Sequence, residues 1–455
     1  MTLAPKTVYI VHCVDTEGPL FESLEATSDR LNKTFGIDVD LDATQFERMK
    51  QGLDVPEHLS SNIRDFLSRI NYMDSWDKLD VMLQELFSEG WRQRYCDDFG
   101  QGYLFNWFIL DHVGFVSNPR RRALGYHGVY DHYRALLKGF PTLRDRLYWH
   151  YHPTSYFYEA HKTSNNFSFS NEHLNVLSRR VIDHLDFPVA YRPGSHVERS
   201  DINLFLEMWV PFDYGNQGMP EREEDSAQFD IAGGRYGDWR RAPSQWGVYH
   251  PDFYDYQKQG AMRRYIARCL NLDSRVRPIS REEIEKAFVQ AEDTQSAILS
   301  VTNHDERDMR PGIDWFMKTV RDVQATTFPD IKIRHVNAVE AIRAVEGMKR
   351  QKPLNLAFSW EGARLIVQSD ADTWGPQPYF CFKTKDQRYI HENLDVQGGR
   401  EWSFVFDEDF IELDQIEAIG FATNDKVGNT SVYRLTSDKD LAKTSSRHLN
   451  EDWLD

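Results

Sequence analysis

The stretch TVYIVHCVDTEGP, residues 7–19, decides the fold. Its first eight residues form an almost unbroken apolar run, without alternation of polar and apolar positions. A strand that meets water on one face alternates, whereas one buried on both faces does not. Two-sided burial is the mark of a parallel sheet covered by helices. The run ends in an acidic pair, Asp15 and Glu17, before Gly18 and Pro19. Carboxylates at the C-terminal end of a buried strand suit an α/β protein whose chemistry sits where strands hand over to loops.

Working outward, the same pattern recurs. YLFNWFIL (103–110), RLYWHYH (146–152), PVAYR (188–192), VPFDY (210–214) and AILSVTNH (297–304) read as further buried strands. Helical stretches separate them, around 129–138, around 171–185 and from Ser200, a good N-cap. Ser280 and Glu283 form a capping-box pattern before Ile284, Ala287, Phe288 and Ala291. Strand–helix alternation implies a parallel sheet or barrel. Residues 20–100 read as a helical insertion. One amphipathic face there carries Leu59, Ile63, Phe66, Leu67 and Ile70; another carries Trp76, Leu79, Leu83, Leu86 and Phe87.

After about residue 348 the character changes to short strand-like segments between turns, which predicts a second domain, an antiparallel β-sandwich over 349–455. Its aromatics, Trp360, Trp374, Tyr379, Phe380 and Trp402, suit either a sandwich core or a sugar-binding face. The last residues, SSRHLNEDWLD, read as a polar tail, and the acidic EREED (221–225) as a solvated loop.

Composition excludes several classes. The formal charge of −17 repels phosphate backbones, so nucleic acid is not an expected partner. No apolar run reaches membrane-spanning length. The N-terminus carries no basic leader, and the four cysteines lie far apart with no CxxC, so a reduced, cytoplasmic setting is expected. No nucleotide-binding glycine motif is present.

Asp15 and Glu17, His150 and His152, Arg192, and His304 all fall at the C-terminal ends of predicted strands. On a strand, residues i and i+2 share a face, so His150 and His152 can converge on one ion with Glu17 supplying an oxygen. Two imidazoles and a carboxylate leave a coordination position open for water, the plan of a catalytic zinc-type site. The plainer reading is a strand end whose histidines bond backbone groups, with His304 bonded to Asp305 or Asp308.

The ordered set VDTEGP (14–19), WHYHP (149–153), YRPGSH (191–196), MWVPFDYG (208–215) and SVTNHD (300–305) resembles the polysaccharide deacetylases, metal-dependent carbohydrate esterases of the nodulation-deacetylase type. The resemblance covers roughly residues 5–345. It implies a distorted (β/α) barrel binding one divalent transition metal, zinc in the first instance, and a glycan or small-molecule substrate. Asp15 then resembles the general base, Glu17 the metal-binding acid, His150 and His152 the histidine ligands, Arg192 the partner of the base, and His304 the general acid. This chain departs in placing Thr16 between its acids and in bringing its histidines closer together, so which acid binds the metal is left open. Asp238 and Trp239 resemble a further motif in which an aspartate tunes the late histidine and a tryptophan lines the pocket. With Tyr191 they are candidate substrate contacts. His112, His127 and His132, after the second strand, are expected to be structural or solvent-facing.

The expected function is removal of an N-acetyl or related acyl group from an amino sugar or glycoconjugate intermediate. Alternatives are hydrolysis of another C–N amide, such as a ureide or formamide, or a catalytically silent glycan binder.

Overall fold

The computed structural model describes residues 5–219, 237–274, 277–436, 443–449 and 454; the EREED run lies outside them. Strand β1 (Thr7–Thr16) is central, with β9 (Ser296–His304) parallel along one side and β2 (Phe105–Leu110) parallel along the C-terminal half of the other. β3 (Arg146–Tyr151), β4 (Ala190–Pro193) and β5 (Phe212–Asn216) follow in order beyond β2, all parallel. β10 (Lys332–His335) pairs with the first residues of β1.

The two ends of this curled sheet meet in one segment absent from the sequence reading. β7 (Tyr265–Arg268) pairs with β5, and β8 (Leu270–Asn271), one residue further on, pairs with β9. The amide of Cys269 between them donates to the Asn216 carbonyl at 2.7 Å. The result is a barrel-like α/β fold. One short antiparallel strand, β6 (Val248–Tyr249), extends its edge at β7.

Alternation along these strands sorts their side chains into two sets. Val11, Cys13, Phe108, Tyr148, Ala190, Phe212, Tyr214, Ala267, Cys269 and Ile298 form one apolar cluster inside the curl, joined by Ala338, Val339, Ala341 and Ile342 of the helix Ala338–Val345. The opposite parity, such as Val8, Ile10, Val14, Trp107 and Leu299, packs against the surrounding helices. Extending the inner parity by one step gives Asp15, His150, Arg192 and, one step along β9 from Thr302, His304. The strand period of two therefore delivers these four to one end of one interior.

The insertion is helical as expected, with helices from Leu24 to Gln93. Ile63 and Leu67 close a small core of their own with Leu31, Leu41 and Met49, while Leu79, Leu83, Leu86 and Phe87 join the main core. Between two of these helices the Met73 amide donates to the Glu306 carbonyl at 2.8 Å, which ties the insertion to the loop after β9.

Beyond residue 355 lie two antiparallel sheets. One has four strands, ordered β11 (Leu356–Glu361), β12 (Arg364–Ser369), β16 (Glu401–Val405) and β15 (Asp395–Gly398). The other has five, ordered β14 (Tyr389–Glu392), β13 (Tyr379–Thr384), β17 (Ile416–Asn424), β18 (Thr430–Thr436) and β19 (Lys443–Leu449). β19 corrects the polar-tail reading for its residues: an edge strand carries polar side chains and still pairs its backbone with β18. Phe380, Phe382 and Phe421 face the other sheet, whereas Tyr379, Cys381, Ala418 and Ala422 pack on Val181, Ile182, Phe187 and Trp209 of the barrel-like part. The five-stranded sheet is thus buried on both faces. A Cβ on Gly420 would stand 2.6 Å from Val181, so the two parts meet at van der Waals contact. Trp374, Tyr379, Phe380 and Trp402 are buried, and Trp360 packs against their cluster. Four of the five aromatics are thus buried, and Trp360 is half-buried.

Candidate metal centre

Asp15 and Glu17 leave β1 two residues apart and on the same side. Thr16 between them turns its hydroxyl back to the Val14 carbonyl. Glu17 is held from behind: its amide donates to Asp305 Oδ1 at 2.8 Å, and the Gly18 amide to Asp305 Oδ2 at 3.0 Å. The Tyr133 hydroxyl adds a third bond to Asp305 at 2.8 Å. Gly18 adopts φ 74°, a left-handed conformation that favours glycine and redirects the chain here.

Glu17, His150 and His152 form a group of donors placed to hold a metal ion, all within 4.8 Å of one another. The two Nε2 atoms are 3.1 Å apart, and Glu17 Oε1 lies 3.6 Å from His150 and 3.3 Å from His152. Ligands at about 2.05 Å in a tetrahedron stand about 3.3 Å from one another, so the three separations fit one zinc-sized ion. His150 donates its Nδ1–H to the Arg192 carbonyl at 3.0 Å, which fixes the tautomer and leaves the Nε2 lone pair facing the centre. A second-sphere carbonyl in this role is the usual companion of a metal-binding histidine.

The electrostatics agree with the donor chemistry. Burial disfavours the charged form of Glu17, but Arg122 and then His152 outweigh it and hold the carboxyl well below its usual range. Arg122 grips Glu17 Oε2, which turns Oε1 toward the histidines. Burial lowers His152, with Glu17 opposing, so its ring is neutral and free to donate a lone pair. The His152 ring also rests on Gly194. A Cβ there would meet it at 2.4 Å, which explains the glycine in YRPGSH.

Asp15 is engaged differently. Arg192 Nε and Nη2 bond its two oxygens at 2.6 and 3.1 Å, and Arg192 also donates to the Tyr214 carbonyl. Burial would raise the Asp15 carboxyl; Arg192, followed by His150, holds it below the usual range. In the structure Glu17 is the acid grouped with the histidines, and Asp15 is the acid paired with the arginine. His304 Nε2 completes the rim, 3.9 Å from Asp15 Oδ2 and 3.8 Å from Glu17 Oε1.

Of the nine sequence-derived residues, six converge here. Tyr191 does not: it has the opposite strand parity from Arg192 and lies in the apolar cluster between the barrel-like part and the five-stranded sheet. Asp238 pairs with Arg240 through two bonds on the half-exposed surface, which lowers its carboxyl to about 2. It makes no described contact with His304. Trp239 is buried, and its Nε1 donates to the His196 carbonyl at 2.9 Å, so it supports the turn after β4.

Neither Asp305 nor Asp308 holds His304: Asp305 caps Glu17 and Gly18, and Asp308 pairs with Arg310. Beside His304 in the chain, Asn303 donates its side-chain amide to Asp273 at 3.3 Å. Arg122 and Asp305, which hold Glu17, are supports of the centre missed by sequence reasoning. Only Asp305 lay within a quoted motif. His112 is structural, near the Glu17 carbonyl at 3.3 Å; His127 faces Asp183, and His132 pairs with Asp80 at 2.7 Å. No described helix is long and apolar enough to cross a membrane. Comparison with family models, curated proteins and solved structures produced no match for the chain or its fold.

Proposed function

We propose that the protein is a metal-dependent hydrolase of the polysaccharide-deacetylase type that removes an N-acetyl or related acyl group from an amino sugar or glycoconjugate. The single observation carrying this reading is the convergence of Glu17, His150 and His152 beside the Asp15–Arg192 pair and His304. Glu17, His150 and His152 would hold the cation, with zinc the first candidate. When bound, such a cation acidifies water and polarises an acyl oxygen.

The chain's own residues supply the rest. Asp15, ionised and oriented by Arg192, accepts the proton of the attacking water as its oxygen bonds to the acyl carbon. His304, the most exposed of the group with 28% of its side chain accessible, stands where a leaving amine can take a proton as the C–N bond breaks. Glu17 and His150 are buried while His152 and His304 lie toward solvent, which matches a substrate that enters from outside and presents one amide.

The test is deacetylation of a panel of acetylated amino sugars, with and without chelator. Chelator-sensitive acetate release, lost in Glu17→Ala, supports the reading. Release of formate or ammonia instead would point to a formamide or ureide substrate. Activity indifferent to chelator and to Glu17→Ala would remove the mechanism.

A further inference from the structure

On the β9 side of the centre, residues 304–307 form a turn in which the Arg307 amide donates to the His304 carbonyl at 3.4 Å. The two ends of such a turn lie within about 7 Å of each other, so Arg307 stands beside His304 at the rim. Its guanidinium lies over the Tyr72 ring, 5.0 Å from the centroid, and Nη2 donates to the Tyr72 hydroxyl at 3.4 Å. Among the described residues its one ion-pair partner is Glu306, 3.9 Å from Nη1, which is too far for a hydrogen bond. Its Nε is buried with no hydrogen-bond partner among the described residues. Arg120, Arg122 and Arg192, by contrast, each grip a carboxylate directly. A guanidinium carries five N–H donors, and Arg307 engages them far less fully than these neighbours do.

Direct contacts tie this arginine to the metal ligands. Glu306 Oε2 lies 3.4 Å from Arg122 Nη1, and Arg122 grips Glu17. Arg120 also lies over the Tyr72 ring, 5.1 Å from the centroid, and shares Glu22 with Arg30. Arg30, Arg120, Arg122 and Arg307 thus crowd around three paired carboxylates, Glu17, Glu22 and Glu306. Asp273, also within electrostatic reach of Arg307, is bonded to Asn303, and burial raises its carboxyl, which weakens it as a counter-charge. Arg30 is exposed but bonds both oxygens of Glu22, at 2.6 and 2.7 Å. Arg307 differs in combining exposure with unused donors. Some 32% of its side chain is accessible, against 28% for His304 beside it.

Resting on the hydrolase reading, we propose that Arg307, beside His304 and over Tyr72, binds an anionic group of the substrate, a phosphate or a carboxylate carried on the same amino sugar as the amide. The planar fork of a guanidinium meets either oxyanion through two parallel N–H···O bonds. Arg307 is then a specificity-determining residue that selects charged amino sugars over neutral ones. It does not touch the reacting atoms, so its effect falls on binding of the charged substrate.

The experiment compares full-length wild type, Arg307→Met, Arg307→Lys and, as a control for loss of a nearby positive charge, Arg121→Met. Arg121 is exposed and stacks on Phe21. The probes are N-acetylglucosamine, its 1-phosphate, its 6-phosphate and its 6-carboxylate analogue, 2-acetamido-2-deoxyglucuronate. Two readouts are taken: kcat and KM of the zinc-loaded protein, and calorimetric affinity of chelator-treated protein, which reports binding without turnover. The wild type should favour at least one anionic sugar over the neutral one by at least tenfold in kcat/KM and in affinity, and the favoured probe tells phosphate from carboxylate. Arg307→Met should weaken binding of that sugar about 10- to 150-fold, the range of a hydrogen bond to a charged group, mainly through KM. It should leave the neutral sugar within threefold. Arg307→Lys, which keeps the charge but not the fork, should fall between the two, and Arg121→Met should match wild type. The proposal is overturned if the wild type treats neutral and anionic sugars alike, if Arg307→Met weakens both equally, or if Arg121→Met does the same as Arg307→Met. Chelator-sensitive cleavage that favours the neutral sugar keeps the hydrolase reading and removes the anion site. Arg307-dependent binding of an anionic sugar with no cleavage of any probe does the reverse.

Discussion

Removal of His152 from the candidate centre is the most direct perturbation of the molecule. Structural zinc sites with four protein ligands bind with about 10–16 kcal/mol, or about 2.5–4 kcal/mol for each ligand. Since 1.4 kcal/mol is tenfold, losing one ligand lowers affinity roughly 10²–10³-fold. His152→Ala should show a loss of that size, because its Nε2 is one of the three donors grouped within 4.8 Å among the described residues. Asp305→Ala tests the support behind the ligands. It frees the amides of Glu17 and Gly18, now bonded at 2.8 and 3.0 Å, without removing a ligand. Loss of such outer support costs about 10–100-fold in metal affinity. His132→Ala is the control, since His132 pairs with Asp80 and stacks on Trp76. The assay is calorimetric titration of Zn²⁺ into chelator-treated protein, with Co²⁺ absorption reporting the ligand field. If His152→Ala binds Zn²⁺ within threefold of wild type, the three donors do not share an ion and the argument fails.

Three more outcomes are expected. Arg192→Met leaves Asp15 buried without its counter-charge and should destabilise the fold by about 3–5 kcal/mol in urea unfolding; adding Asp15→Leu should restore much of that loss. Gly194→Ala drives a methyl into the His152 ring, so Zn²⁺ affinity should fall at least tenfold while far-UV circular dichroism is unchanged. Acid should destabilise through buried neutral histidines. Burial lowers His12 and His173 to about 4, below the 6.5 of the unfolded chain, so the unfolded state binds the extra protons. Their contribution is complete above pH 6.5 and is lost as pH falls toward 4, about 2 kcal/mol each at pH 5. A urea midpoint that does not drop between pH 7.5 and pH 5 would contradict this.

The residues that read correctly did so for local reasons. Strands β1, β2, β3 and β9 announce themselves because two-sided burial needs an apolar side chain at nearly every position. The site is partly visible for the same reason: Asp15 and Glu17, and His150 and His152, share a face through the strand period, which sequence spacing alone expresses. Ser280 caps its helix as its pattern suggests, accepting the Glu283 amide at 3.3 Å. The Glu283 side chain, however, pairs with Arg268 at 2.6 Å instead of reaching back, a choice made by a neighbouring strand that packs beside the helix only in the folded chain.

That same ion pair explains why the closing segment was invisible. Arg264, just before β7, and Arg268 at its end are buried charges that break the apolar pattern of a core strand. Their neutralisation by Glu198, Asp213 and Glu283 exists only once the chain is folded. The supports of the centre share this property. Arg122 reaches Glu17 across 105 positions and Asp305 reaches it across 288, separations at which no spacing rule operates. The amino-acid order determined which strands are buried and which side chains share a face. The tertiary structure alone decided that Glu17 joins the histidines while Asp15 joins Arg192, that Tyr191 points away, and that Trp374, Tyr379, Phe380 and Trp402 are buried. The reason is physical: periodicity acts over a few residues, whereas charge pairing and packing depend on distances in space.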